Sequence, residues 1–196
     1  LDRLFAPASV AVFGASERAG RVGTTVWRNL HAQFPGRLYP VNPKHRLLDG
    51  VKAYATVKAL PETPDLAVIC TPADTVVKLI EQLGEYGTRA AIVVTAGLDK
   101  ATKQAMLKAA RVHMLRILGP NCIGLLVPHL GLNASFAHIG AQPGELAFVS
   151  QSGALVTAML DWAAARNIGF SHFVSLGEHA DVDFGDLLDY LGSDAK

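Results

Sequence analysis

Glycines at 14, 20 and 23 punctuate VFGASERAGRVGTTVWRNL (residues 12–30), a segment that runs from an apolar strand into a helical pattern. Such a turn exposes backbone N–H groups and the positive end of a helix, and glycine keeps side chains out of the path of an approaching anion. The chemistry it serves is phosphate binding. Ser16 and Arg18 lie in the same loop and join the glycines as candidate contacts. The spacing is neither the GxGxxG of a dinucleotide fold nor the GxxxxGK[ST] of a P-loop.

The second strand ends in PVNPKHR, with Lys44, His45 and Arg46 where a dinucleotide enzyme needs an acid for the ribose hydroxyls. A cation there asks for a second phosphate. The ligand is then a nucleotide with a pyrophosphate and a ribose phosphate: NADP, or coenzyme A with its 3′-phosphate. A structural turn beside a solvated lysine is the plain alternative. A second strand-turn-helix, VSQSGALVTAML, sets Ser150, Ser152 and Gly153 at a helix N-terminus, where a phosphate or merely an N-cap serine fits. Neither serine has the flanking glycines of a GxSxG elbow, which argues against a serine hydrolase.

These turns need a scaffold that brings strand ends together. Short apolar runs recur as SVAVFGA, RLYPVNP, DLAVICT, AAIVVTAG and RILGPN, each but the second and last followed by a helical pattern. This predicts an α/β fold, a Rossmann-like parallel sheet over residues 1–125 with helices on both faces. The Gly14 loop, Lys44, Thr71 and Pro72, Gly97 and Asn121 all fall at C-terminal strand ends, where open sheets of this kind bind ligands. Periodicity lapses from 126 to 144, with Pro128, Gly131, Gly140, Pro143 and Gly144, which reads as a linker. Residues 145–196 then open a second α/β unit whose two strands and two helices are too few for a core of its own, as if truncated.

The chain has 196 residues, half of them apolar, under a fifth charged and a net charge of +1. Its basic residues are scattered, which argues against nucleic-acid binding, and no apolar run reaches the roughly 18 residues of a membrane helix. Cys70 and Cys122 lack CxxC spacing, so neither a disulfide framework nor a metal site is expected, and a reducing cytoplasm is. The chain opens at Leu1 with no basic-then-apolar leader and reads as a piece of a longer protein.

In order, VFGAS, GTTVWRNL, YPVNPK, DLAVICTPA, VVTAGL, LGPNCIGLL, GLNASF, AFVSQSGAL and LLDYL resemble the NDP-forming acyl-CoA synthetases and the α subunit of succinyl-CoA ligase, over essentially the whole chain. The same module fronts some proteobacterial protein-lysine acetyltransferases. The resemblance implies a CoA-binding domain followed by the start of a flavodoxin-like ligase domain. The reaction it implies is acyl-CoA + ADP + phosphate ⇌ acid + CoA + ATP through a phosphohistidine. ATP or ADP, magnesium and a grasp-type nucleotide-binding domain or subunit belong to that longer protein, which could also self-associate.

By the same resemblance, the loop from Gly14 to Gly23 holds the CoA phosphates, with Ser16 bonding them and Lys44 at the ribose-phosphate end. Thr71, Pro72 and Gly97 match loops flanking the adenine and pantetheine arm, and Asn121 and Cys122 lie near the thiol. On the residues alone, Asn121 could simply cap a turn and Cys122 act as a small apolar residue. The helix after Ser152 faces the relay histidine in the family, yet none of His31, His45, His113, His129, His138, His172 or His179 has matching surroundings. No catalytic residue is therefore expected in this chain. His179 alone stands beside carboxylates, and an exposed strand-end histidine is the simpler account. Glu178 departs from the family, where Asn occurs. Two alternatives stay open: a regulatory module that binds CoA or acyl-CoA before an acetyltransferase domain, and an NADP oxidoreductase, which lacks a Tyr-x-x-x-Lys pair.

Overall fold

A computed structural model describes residues 1–193, so the last three positions of the expected second unit lie outside the described residues. A short helix α1 (Asp2–Phe5) leads into β1 (Ser9–Phe13), α2 (Val22–Gln33) and β2 (Arg37–Val41). The small hairpin of β3 (Leu47–Leu48) and β4 (Val51–Lys52) precedes β5 (Leu66–Ile69). Next come α3 (Ala73–Tyr86), β6 (Ala90–Val93), α4 (Lys100–Val112) and β7 (Arg116–Leu118).

The sheet runs β2-β1-β5-β6-β7 with every pairing parallel. Strands β1, β5 and β6 are buried at every position, which is why they read as unbroken apolar runs. Helix α3 turns Val76, Ile80 and Leu83 into the core and stops at Gly87, whose φ of +102° makes the left-handed cap. Asp99 starts α4 by accepting from the Thr102 N–H. The Rossmann-like reading holds.

The second unit contains β8 (Gly124–Val127), β9 (Leu132–Ser135), β10 (Pro143–Ser150), α5 (Gly153–Ala164), β11 (Phe170–Ser175) and α6 (Phe184–Ser193). Its mixed sheet runs β10-β11-β8-β9, with β10 parallel to β11 and β8 antiparallel to both neighbours. The stretch 126–144, expected as a linker, thus carries the end of β8, all of β9 and the start of β10. Pro128 and Gly131, read as breakers, build the turn between two paired strands, Gly131 at a φ of +64°. Four strands, not two, serve the second core.

The two units share packing. Val26, Trp27 and Leu30 of α2 lie in one apolar cluster with Leu125, Leu132 and Ala134 of β8 and β9. The Asn29 side-chain amide donates to the Ser135 and Ala137 carbonyls, both at 2.9 Å. At the far edge of the first sheet, the loop after β11 lies along β7: Ala180 N–H donates to Gly119 O (3.0 Å) and Val182 N–H to Ile117 O (3.1 Å). The Asp181 carboxylate accepts from Ile117 N–H at 2.7 Å and from Arg116 at 3.1 Å, and Asp186 accepts from Arg116 at 2.7 Å. Burial works against the Arg116 charge, but the two carboxylates more than offset it and raise its pKa. An edge strand with open hydrogen-bonding groups is thereby covered. Among the described residues, no helix is long and apolar enough to cross a membrane.

Candidate functional site

The C-terminal ends of β1, β2 and β5 open onto an outer chamber of about 1020 Å³. Gly14 closes β1 at a φ of +85°, and its N–H donates to Val41 O at 3.0 Å, so the loop leaves the sheet sharply. Gly23 lies in the first turn of α2 so close to that turn that a Cβ would stand 2.0 Å from Gly14 O. This is the role of the third glycine in a dinucleotide fold, close helix-to-strand packing, reached here with different spacing.

Between them the loop is tied to itself. Ser16 Oγ accepts from Arg18 N–H at 3.0 Å, and the Thr24 hydroxyl donates to Arg18 O at 2.7 Å. The Asn42 amide, at the end of β2, donates to Ala15 O at 2.7 Å, and its own oxygen accepts from Lys44 N–H at 2.9 Å. Asn42 therefore fixes the Lys44 turn against the glycine loop. No side chain caps the N-terminus of α2, and its first turn carries no acid, so the helix end stays available to an anion.

Charge follows the same logic. Arg18, Arg21, Lys44, His45 and Lys78 line the outer chamber against one carboxylate, Asp74. Arg21, Val22, Cys70, Thr71 and Pro72 also line a second, inner chamber of about 830 Å³, so the two chambers adjoin along this shared wall. The inner walls include Thr95, Asn121, Cys122, Gln151, Gly153 and Glu178. Its loops are held by a relay: the Thr95 hydroxyl donates to Thr71 O (2.7 Å), Asn121 N–H to Thr95 O (3.1 Å), and Glu178 N–H to Pro120 O (2.9 Å).

Of the residues expected from the sequence, Gly14, Ser16, Arg18, Gly20, Gly23, Lys44, Thr71 and Pro72 line the outer chamber. Asn121, Cys122 and Gly153 line the inner one. Gly97 does not join them; the wall there is made by Val94, Thr95 and Ala96, and Gly97 makes an exposed turn at a φ of +78°. Ser150 and Ser152 also stand off the wall, which Gln151, Gly153 and Ala154 supply. Ser152 Oγ accepts from Leu155 N–H at 3.3 Å as the N-cap of α5, and Ser150 Oγ accepts from Ser152 N–H at 3.1 Å. His179 is exposed, with its backbone N–H on Leu176 O.

Neither cysteine is set up as a thiolate nucleophile. Burial pushes the Cys70 and Cys122 thiols up to about 12, and at Cys70 the neighbouring Cys122 adds to the shift. The Cys122 thiol points at the carbonyls of Val93 and Leu118. Both thiols are free.

A family model described as a CoA binding domain matches residues 8–128, the span holding the glycine loop, Lys44 and Asn121. The chain belongs to the CoA-binding domain family. A second model, the succinyl-CoA ligase like flavodoxin domain, matches residues 143–196 behind this CoA-binding domain. The chain is 39% identical over 99% of its length to acetate–CoA ligase [ADP-forming] I of Archaeoglobus fulgidus, covering 29% of that protein. It is 39% identical over 97% of its length to the α subunit of acetate–CoA ligase [ADP-forming] II of Pyrococcus furiosus, covering 43% of it. Among solved structures, a dinucleotide-forming acetyl-coenzyme A synthetase of Ca. Korarchaeum cryptofilum, in complex with phosphate and ADP, superposes with a TM-score of 0.96. Identity is 38%, over 100% of this chain and 43% of that one. The chain thus spans less than half the length of these relatives.

Within the CoA-binding domain, sequence reasoning missed Arg21 and Lys78, which face the outer chamber, and Asn42, which braces it. Lys78 shares one face of α3 with Thr75, Leu79 and Gln82, all on the same chamber at spacings of three and four, and that periodicity is the signal that could have found it.

Proposed function

We propose that this chain binds coenzyme A or acyl-CoA as the CoA-binding part of an ADP-forming, acetyl-CoA-like acyl-CoA synthetase. The observation that carries the reading is the pair of adjoining chambers. The outer one gathers Lys44 and the uncapped end of α2, and the inner one shares its wall with the N-terminal turn of α5. A CoA molecule has that order: a ribose phosphate, a pyrophosphate and then a long neutral arm ending in a thiol.

In this reading Lys44 neutralises the 3′-phosphate, and backbone N–H groups at Gly14–Gly23 take the pyrophosphate without needing to reorganise. The thiol then reaches Asn121 beside Gly153, where α5 orients a phosphoryl group. The full reaction, acyl-CoA + ADP + phosphate ⇌ acid + CoA + ATP, needs a phosphorylated histidine and a nucleotide-binding domain or subunit. We assign both, with the magnesium that accompanies the nucleotide, to parts other than the described residues. Two free thiols fit a reducing cytoplasm.

Calorimetry with CoA, NADP and NAD tests the binding reading. CoA binding with no response to NAD is the expected result, and tight NAD binding without CoA binding refutes it. The full-length protein should also form ATP from acyl-CoA, ADP and phosphate; CoA binding without turnover supports instead a regulatory module ahead of an acetyltransferase.

A further inference from the structure

Among the described residues, Glu178 is the one carboxylate on the wall of the inner chamber, and CoA binding gives it no task. It lies on the loop after β11, next to Gly177, where a Cβ would stand 2.4 Å from Pro120 O. Glycine at 177 lets the loop pack directly against the Asn121 turn. Glu178 Oε2 pairs with Lys103 of α4 at 2.7 Å, and Oε1 accepts from the Asn121 amide at 3.4 Å. Lys103 is not part of the chamber wall. The Glu178 side chain, 32% exposed, thus lies at the chamber wall beside Asn121, with a counter-ion that is not itself on that wall.

We propose that Glu178 is a specificity-determining residue that selects acyl groups by charge. It rejects those ending in a second carboxylate and admits neutral ones. The inference rests on the CoA reading, because it needs the acyl-thioester end in the inner chamber. Among the described residues, the remaining inner wall carries a single other charge, Arg21, which the outer chamber shares, and in the CoA reading the ligand phosphates take it up. An acyl carboxylate entering beyond Asn121 meets no cation on the wall. Two carboxylates about 6 Å apart in a partly wet cavity, with the lysine offsetting part of the field, discriminate on the order of tenfold.

Succinyl-CoA and butyryl-CoA separate the charge from the length, since both acyl chains have four carbons. Their dissociation constants are measured by calorimetry on the full-length protein, the Glu178→Gln variant and the Lys103→Gln variant, with CoA itself as the reference ligand. The unaltered protein should prefer butyryl-CoA by about tenfold. Glu178→Gln keeps the size of the side chain and its bond to Asn121 and should bring the ratio toward one. Lys103→Gln unmasks the carboxylate and should widen the ratio. A merely structural ion pair would lower stability in both variants and leave the ratio unmoved, which overturns the proposal while CoA binding survives. Absence of CoA binding in the unaltered protein overturns the function reading and this inference with it.

Discussion

Gly23→Ala sets two effects against each other. In an ordinary helix this change is favourable, because alanine exceeds glycine in helix propensity by up to about 1 kcal/mol. Here the new methyl would stand 2.0 Å from Gly14 O, and contact becomes ordinary only beyond 3.4 Å, so α2 must retreat from β1 by more than an ångström. Forced overpacking of this kind costs about 1–3 kcal/mol. The cost exceeds the gain, because α2 is anchored through Val26, Trp27 and Leu30 and cannot shift alone. The same retreat pulls the helix end away from a bound phosphate, and losing one charge-assisted bond of about 1.5–3 kcal/mol weakens CoA at least tenfold. Urea unfolding and calorimetry on the variant measure both losses. Gly192→Ala is the control: its added Cβ meets nothing within 4 Å in α6, so stability should hold or rise slightly. A Gly23→Ala protein as stable as its parent, with CoA affinity unchanged, would refute the close-packing argument.

Lys44→Ala should weaken CoA by about 1.5–3 kcal/mol and dephospho-CoA much less, and equal losses would show that Lys44 does not meet the ribose phosphate. The Cys70 and Cys122 thiols are both pushed up to about 12; the buried Cys122 should resist iodoacetamide at pH 8 in the folded protein and react after unfolding, as read by mass spectrometry, whereas the half-buried Cys70 on the chamber walls should react more readily than Cys122. The unfolded chain releases these protons from about pH 9, so it binds fewer protons than the folded state above that value. Stability should therefore fall as pH rises from about 9 to 12, which thermal melts across that range will test. Asp181→Ala leaves the buried Ile117 N–H without its acceptor and Arg116 without one partner, and should cost about 2 kcal/mol in a urea titration.

The parallel sheet was legible because β1, β5 and β6 are buried on both faces and announce themselves as apolar runs. The glycine loop was legible in kind, though the reason for Gly23 emerged only from its 2.0 Å approach to Gly14 O. Strands β8 and β9 were hidden by brevity: four residues each, buried throughout, with a Pro128-to-Gly131 turn that mimics a linker. Gly97 stands just beside the inner wall rather than on it, and a glycine at a strand end looks the same in sequence whether it approaches a ligand or merely turns the chain. Glu178 joins the inner chamber wall through the docking of a polar loop on a distant strand edge, a contact that no local pattern encodes.

That docking has a consequence for cutting the molecule. A boundary drawn after Val127, where the CoA-binding model ends within a residue, looks like a natural place to make a shorter protein. Such a cut would remove Ala180 and Val182 from the rim of the first sheet and bare the amide of Ile117 and the carbonyls of Ile117 and Gly119. It would also strip β9 from the side of α2 that holds Trp27. The shortened piece would carry a sticky strand seeking any other strand, and self-association through β7 would be its natural fate. The second unit thus acts toward the first as a resident chaperone, sealing the rim for as long as the chain stays whole.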